Sequence, residues 1–250
     1  MNAQRQTDGG VVVRSAQETL EGAGAVVRRL FPVAGLRNLD PFVLWDHFSV
    51  QPGSGFPDHP HRGFEGITYL LAGSMQHADN LGNRTTVTTG GAQRFTAGRG
   101  IVHSEMPGDS GETRGIQLWV RLPYRLQDTP PDYQQVDTAD FPVRHFDGGW
   151  QKTLVGEGSP LRLLSPVHYS DLGLNAEVRH AQVLPAGSNG LVYLLEGVAR
   201  VAGETLQAGQ VALLRQCAEV TLEAVTDCRL LLCFGQPHGE PIVQHGPFVD

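Results

Sequence analysis

Ile67-Thr68-Tyr69-Leu70-Leu71-Ala72-Gly73 and Leu191-Val192-Tyr193-Leu194-Leu195-Glu196-Gly197 are the two stretches whose reading decides the fold. Each is an apolar run with tyrosine at its third position, closed by glycine. They lie 124 residues apart in a chain of 250. Each is followed by another strand-like run and then a glycine turn, Gly90-Gly91 in the first case and Gly209-Gln210 in the second. Short apolar runs bounded by turn residues read as buried strands. Similarity at a long, fixed interval reads as a duplicated unit.

On either side of these stretches the same texture recurs. Apolar or alternating runs occupy 11–13, 25–30, 85–88, 115–122, 161–163, 181–184, 198–201, 211–214, 220–222 and 230–234. Thirty-one glycines and 16 prolines punctuate a chain that is 40% hydrophobic. That balance predicts many short strands and tight turns rather than disorder. Residues 20–24 and 172–176 read as short turns or loops, and no long helix is expected. The stretch 123–150 carries Pro123, Pro130, Pro131 and Pro142 among polar residues and reads as a connector. The expected architecture is all-β, two antiparallel β-barrels with few short helices. The expected domains are 1–125, with the connector at 126–150, and 151–250.

Composition excludes several functions. The net charge is -7, which disfavours electrostatic binding to nucleic acid or to an anionic membrane. No apolar run approaches the length of a membrane helix, and residues 1–10 lack the apolar core of a signal peptide. Cys217, Cys228 and Cys233 form no C-x-x-C pair, and the latter two flank Arg229-Leu230-Leu231-Leu232. They read as buried strand thiols in a reduced, cytoplasmic setting.

The chemistry sits in the first half. Asp58-His59-Pro60-His61-Arg62-Gly63-Phe64-Glu65 contains an H-x-H pair, and Gly100-Ile101-Val102-His103-Ser104-Glu105-Met106-Pro107 contains an H-x-E pair. Side chains two apart on a strand share a face. Two strands can thus bring His59, His61, His103 and a carboxylate to one cation. Imidazoles with a carboxylate suit Fe, Mn, Ni, Cu or Zn, and an octahedral ion keeps two positions open. Spacing leaves Glu65 and Glu105 both eligible as the carboxylate. His47 and His77 flank the first motif. His145, His168, His180, His238 and His245 are scattered singly and read as structural. The second half has no H-x-H, so no metal is expected there.

These residues resemble the pirin family of bicupins (two-domain members of the cupin, or jelly-roll, superfamily). The resemblance is carried by Asp40-Pro41-Phe42 through Asp46-His47-Phe48, by 55–65, by 96–107, by Gly115-Ile116-Gln117-Leu118-Trp119-Val120 and by the tail 240–249. It implies two facing barrels, with iron held in the first by His59, His61, His103 and Glu105, which selects Glu105 over Glu65. It further implies Fe(II) as cofactor and a quercetin 2,3-dioxygenase (quercetinase) activity that opens a flavonol ring with O₂ and releases carbon monoxide. In that reading Glu105 is also the catalytic base for the flavonol 3-hydroxyl, and Phe56, Phe64, Met106 and Trp119 are candidate pocket walls. The alternative implied by the family is a non-catalytic, iron-dependent redox regulator acting through a protein partner. A Zn or Mn hydrolase or isomerase fits the same ligands. Gly98 stands where the general cupin motif has proline, and the tail ends before the C-terminal helix of longer members.

Overall fold

The structure, a computed structural model, describes residues 11–108 and 111–250. The polar stretch 1–10 lies outside the described residues. The chain divides into two compact units. The N-terminal unit comprises Gln17–Phe141, Pro160–Ser165 and His238–Asp250; the C-terminal unit comprises Pro142–Ser159 and Pro166–Pro237 together with 11–16.

The first strand, β1 (Val12–Ser15), belongs to the C-terminal unit. The N-terminal unit then builds β2 (Gln17–Glu21), β3 (Ala25–Phe31), β4 (Phe42–Val50), β5 (Phe56–His61), β6 (Phe64–Ala72), β7 (Ser74–Asp79), β8 (Arg84–Thr88), β9 (Ala92–Thr96), β10 (Ile101–Pro107), β11 (Thr113–Arg121) and β12 (Asp132–Val136). The C-terminal unit follows with β13 (Val143–Phe146), β14 (Gly149–Val155), β15 (Val167–Leu174), β16 (Arg179–Glu196), β17 (Val198–Val201), β18 (Glu204–Gln207), β19 (Gln210–Ala224) and β20 (Cys228–Gly235). The hairpin β21 (Gln244–His245) and β22 (Phe248–Val249) closes the chain in the N-terminal unit. Two short 3₁₀ turns, at Tyr124–Leu126 and Thr138–Asp140, are the helical segments among the described residues.

In the N-terminal unit a seven-stranded sheet, ordered β12-β9-β6-β11-β4-β3-β2, accompanies a four-stranded sheet, β5-β10-β7-β8. Every strand pair is antiparallel. These are open sheets packed as a sandwich rather than the closed barrels expected. Val27, Phe48, Val50 and Leu70 of one sheet share a buried cluster with Met75 and Val87 of the other. Burial is what drives the two faces together, since each buried aliphatic side chain stabilises by about 1.5–3 kcal/mol.

The C-terminal unit is one nine-stranded sheet, β13-β14-β15-β20-β16-β19-β17-β18, with β1 joined to β19. Its pairing repeats that of the first unit. Gly66 on β6 faces Phe95 on β9 and Trp119 on β11. Gly190 on β16 faces Leu214 on β19 and Phe234 on β20. The long strands β16 and β19 each do the work of two strands of the first unit, which is why 181–184 and 191–195 fuse.

Three sequence expectations are corrected. The stretch 123–150 is no plain connector: β12 extends the N-terminal sheet against β9, and β13 pairs with β14. Residues 161–163 form no strand, although Leu161 is buried. Instead the backbone N–H groups of Leu164 and Ser165 donate to Glu65. Leu20 and Glu21 lie in β2, and Leu172–Leu174 end β15, where turns were expected. Leu20 and Glu21 pair with Val26 and Ala25 across a tight hairpin, whereas Leu172–Leu174 pair with the distant strands β14 and β20.

Candidate metal centre

β5 and β10 run antiparallel with His103 directly opposite His59, and His61 opposite Ile101. Pro60 points outward between the two histidines, leaving His61 buried. The register shifts between His103 and Glu105, a bulge that keeps both residues buried on one side of β10. The result is a cluster of His59, His61 and His103, each offering a ring nitrogen within 4.8 Å of the others. Ring centroids lie 4.5 Å apart for His59–His61, 4.5 Å for His59–His103 and 4.9 Å for His61–His103.

The outer nitrogens are committed. His59 Nδ1 donates to the Pro57 carbonyl at 2.8 Å, and His61 Nδ1 donates to the Pro247 carbonyl at 3.3 Å. A histidine that gives one N–H to a carbonyl keeps the other nitrogen as a lone-pair donor. His103 has neither ring nitrogen bonded, although it is buried. Buried polar atoms without partners carry a cost of about 1–3 kcal/mol each. Burial, then the neighbouring charge of His59, lowers His61 to about 3. Burial and the three surrounding histidines push His103 well below its ordinary value. This keeps His61 and His103 neutral, which is the ligating form. The residues present therefore fit a borderline divalent metal.

An aromatic floor supports the rings. Phe95 stacks on His61 at 5.4 Å and tilts under His103 at 4.4 Å. Phe64 stacks on Trp119 at 4.1 Å and meets His61 edge-on. Gly66 makes room for this floor, because a Cβ there would stand 2.3 Å from the Phe95 ring.

Glu105 stands opposite His77 on β7 and opens onto the same cavity as His59 and His61. Thr68 Oγ1 and Gln93 Nε2 donate to its Oε1 at 2.5 and 2.6 Å, and Gln117 Nε2 donates to its Oε2 at 2.7 Å. Glu65 is turned elsewhere. Its parity on β6 is opposite to that of Thr68, and it accepts from Thr96, Leu164 and Ser165. Burial raises its carboxyl above the usual range. His77 flanks the cluster, with its ring 5.4 Å from that of His103, stacked on Tyr133 and bonded to Asp79. His47 has the opposite parity to Asp46 on β4 and does not line the cavity.

The cavity is about 510 Å³ and is lined by Leu44, Phe56, Trp119, Arg29 and the tail residues Gln244 and Pro247 among others. Of the four wall candidates, Phe56 and Trp119 line it. Phe64 is fully buried behind them, and Met106 borders a separate surface groove. Sequence reading missed Thr68, Gln93 and Gln117, and also Arg29, which forks onto Asp46 and reaches Glu21. One signal was available: Thr68 and Gln117 are polar residues in the middle of otherwise apolar runs.

The matching positions of the C-terminal unit are filled with hydrocarbon. By pairing register Thr68, Gln93 and Gln117 correspond to Val192, Ala212 and Leu232, while His103 and Glu105 correspond to Val220 and Leu222. His59 corresponds to Gln182 and His61 to Leu184. Except for Gln182, these residues belong to one apolar core cluster. Cys228 and Cys233 are buried strand thiols as expected, and Cys217 is partly exposed.

Two units of cupin type, one with a buried histidine cluster and the other apolar at the same places, define a bicupin. The pirin family model matches residues 24–120, and the model of the pirin C-terminal cupin domain matches residues 169–250. The chain belongs to the pirin family. It is 40% identical over 245 residues to a pirin-like protein of Caulobacter vibrioides, covering 93% of this chain and 89% of the relative. It is 37% identical over 245 residues to human pirin, covering 94% and 84%. A quercetin 2,3-dioxygenase from Acinetobacter baumannii has a similar structure, with a TM-score of 0.88 at 33% identity over 95% of this chain and 90% of that one. No helix among the described residues is long and apolar enough to cross a membrane.

Proposed function

We propose that the N-terminal unit holds one Fe(II) ion on His59, His61, His103 and Glu105, and that the chain is a flavonol 2,3-dioxygenase. In the reaction both atoms of O₂ enter the flavonol ring and one ring carbon leaves as carbon monoxide. The observation that carries the reading is the buried His103, whose two nitrogens have no partner beside two histidines already oriented by carbonyls. The likeness to the Acinetobacter baumannii enzyme supports the substrate class.

A bound ion would supply Lewis acidity toward a chelating hydroxyl and a redox centre for O₂. The remaining roles fall to side chains. Leu44, Phe56 and Trp119 offer apolar walls to a planar aromatic ligand, in a cavity of a size usual for drug-sized molecules. Glu105 reaches that cavity and accepts the proton of the flavonol 3-hydroxyl. Thr68, Gln93 and Gln117 hold its carboxylate in one orientation, which saves the entropy of finding it.

The test joins metal content to oxygen uptake on a panel of flavonols. The expected result is iron in the purified chain and carbon monoxide release matched to O₂ consumed. His61→Ala should abolish both. Full turnover by a metal-free variant would end this reading. Iron binding with no turnover of any flavonol would move the assignment to the redox regulator, whose partner is a protein. Zinc or manganese in place of iron would move it to a hydrolase or isomerase.

A further inference from the structure

The carbonyl that orients His61 comes from the far end of the chain. Pro247 lies 186 residues away, in the turn between β21 and β22. This hairpin is held down at several points. Val249 is fully buried among Phe64, Phe95, Ile101 and Trp119, the same aromatic cluster that underlies the histidines. Val249 N donates to the Arg62 carbonyl at 3.0 Å. The Val249 carbonyl approaches Gly63 so closely that a Cβ on residue 63 would stand 1.7 Å from it. Arg62 forks onto both carboxylate oxygens of Asp250 at 2.8 Å and lies over the Phe248 ring. Upstream, Asp40 accepts from His238 N and Gly239 N, and Glu240 accepts from Arg121 and Tyr124 N.

We infer that the hairpin 244–249 is a working part of the metal centre: the Pro247 carbonyl is a positioning group that fixes the tautomer of His61 and aims its Nε2 at the ion. The inference rests on the metal reading above and adds to it a group that neither H-x-H nor H-x-E contains. The anchoring explains why the contact persists. Ring and carbonyl are both tied to one apolar cluster, so neither moves without the other. Partners of ligating histidines typically govern metal affinity by ten- to a hundredfold.

The experiment uses the full chain and two substitutions that act on the hairpin from different ends. Val249→Asp puts a charge where a buried valine anchors β22. Gly246→Val strains the turn, since residue 246 has φ +56 with open space around it. Val243→Ala, on an exposed tail side chain, is the control. Circular dichroism checks that each variant is folded. Two readouts follow: Co(II) affinity by titration of its visible absorbance, and the ¹⁵N shifts of the His61 ring in the metal-free chain. The expected result is a ten- to hundredfold weaker Co(II) dissociation constant for both variants, an unchanged one for the control, and loss of the Nδ1–H signature of His61. Affinity within twofold of the parent and an unchanged His61 signature in either folded variant would overturn the inference. If the parent chain takes up no Co(II), the metal reading falls, and the ¹⁵N signature alone then decides whether the hairpin sets the tautomer.

Discussion

Gln117 donates from Nε2 to Oε2 of Glu105 at 2.7 Å, across two strands that belong to different sheets. With Thr68 and Gln93 on the other oxygen, the carboxylate has a donor on each side and little freedom to turn. Gln117→Leu introduces the residue that stands at the matching place in the C-terminal unit, Leu232. It removes one hydrogen bond to a charged acceptor, so unfolding free energy should fall by about 1.5–3 kcal/mol. Glu105→Leu should cost similarly, because it strands three donors. The double variant should cost less than the sum by roughly 0.5–3 kcal/mol, as residues in one network couple. Urea unfolding of the four chains measures this. Strict additivity would mean that the two side chains do not depend on each other.

Gly66 and Phe95 make a second coupled pair. A Cβ at 66 would lie 2.3 Å from the Phe95 ring, which cannot retreat without disturbing His61 and His103. Gly66→Ala should destabilise by about 1–3 kcal/mol through overpacking and weaken metal uptake. Adding Phe95→Leu, the residue type at the matching Leu214, should return most of the stability. The check is a melting curve for each chain, and a Gly66→Ala melting curve like the parent's would remove the steric argument.

These pairs mark what was legible beforehand. The convergence of His59, His61 and His103 could be read because period-two alternation is local, two residues apart meaning one face, whereas the same alternation left Glu65 and Glu105 both eligible. The duplicated unit could be read because Tyr69 and Tyr193 sit in the same context. Thr68, Gln93 and Gln117 converge on Glu105 only through inter-strand register, which no local pattern states. The pairing of β1 with β19 and the return of 160–165 and 238–250 to the N-terminal unit are likewise long-range contacts. Prolines 130, 131 and 142 announced a break but could not show that β12 and β13 begin just after them.

Acid should weaken the fold through histidines that are buried neutral. His168 stacks on Phe234 in the C-terminal unit, away from the metal centre, and burial lowers it to about 4. Unfolded, it titrates near 6.5. Between those values the unfolded chain binds the extra proton, so stability is intact above about pH 6.5 and declines as pH falls toward about 4. One histidine accounts for about 1.4 kcal/mol per pH unit, or ~3 kcal/mol across the window. His168→Leu should therefore flatten the pH dependence by that amount. Urea midpoints of parent and variant at a series of pH values test it, and parallel curves would refute it.

His103 poses the sharpest opposition between stability and binding. Both of its nitrogens are buried without a partner, and burial together with the neighbouring histidines disfavours its charged form. The C-terminal unit shows the alternative, with Val220 at the matching position inside a continuous apolar core. His103→Leu removes two unsatisfied polar atoms and keeps roughly the volume. The metal-free variant should then be more stable than the parent by about 1–3 kcal/mol, the desolvation cost of such groups. The same substitution should weaken binding of Co(II) or Fe(II) by at least tenfold, because His59, His61 and Glu105 are then one ligand short of the proposed set. With saturating metal the variant's advantage should shrink, since binding to the native state stabilises the parent more, by about 4 kcal/mol for the parent at a thousandfold excess over its dissociation constant. Melting curves of both chains with metal and with a chelator give the four values needed. A variant that melts below the parent in chelator would show that His103 has partners other than an ion.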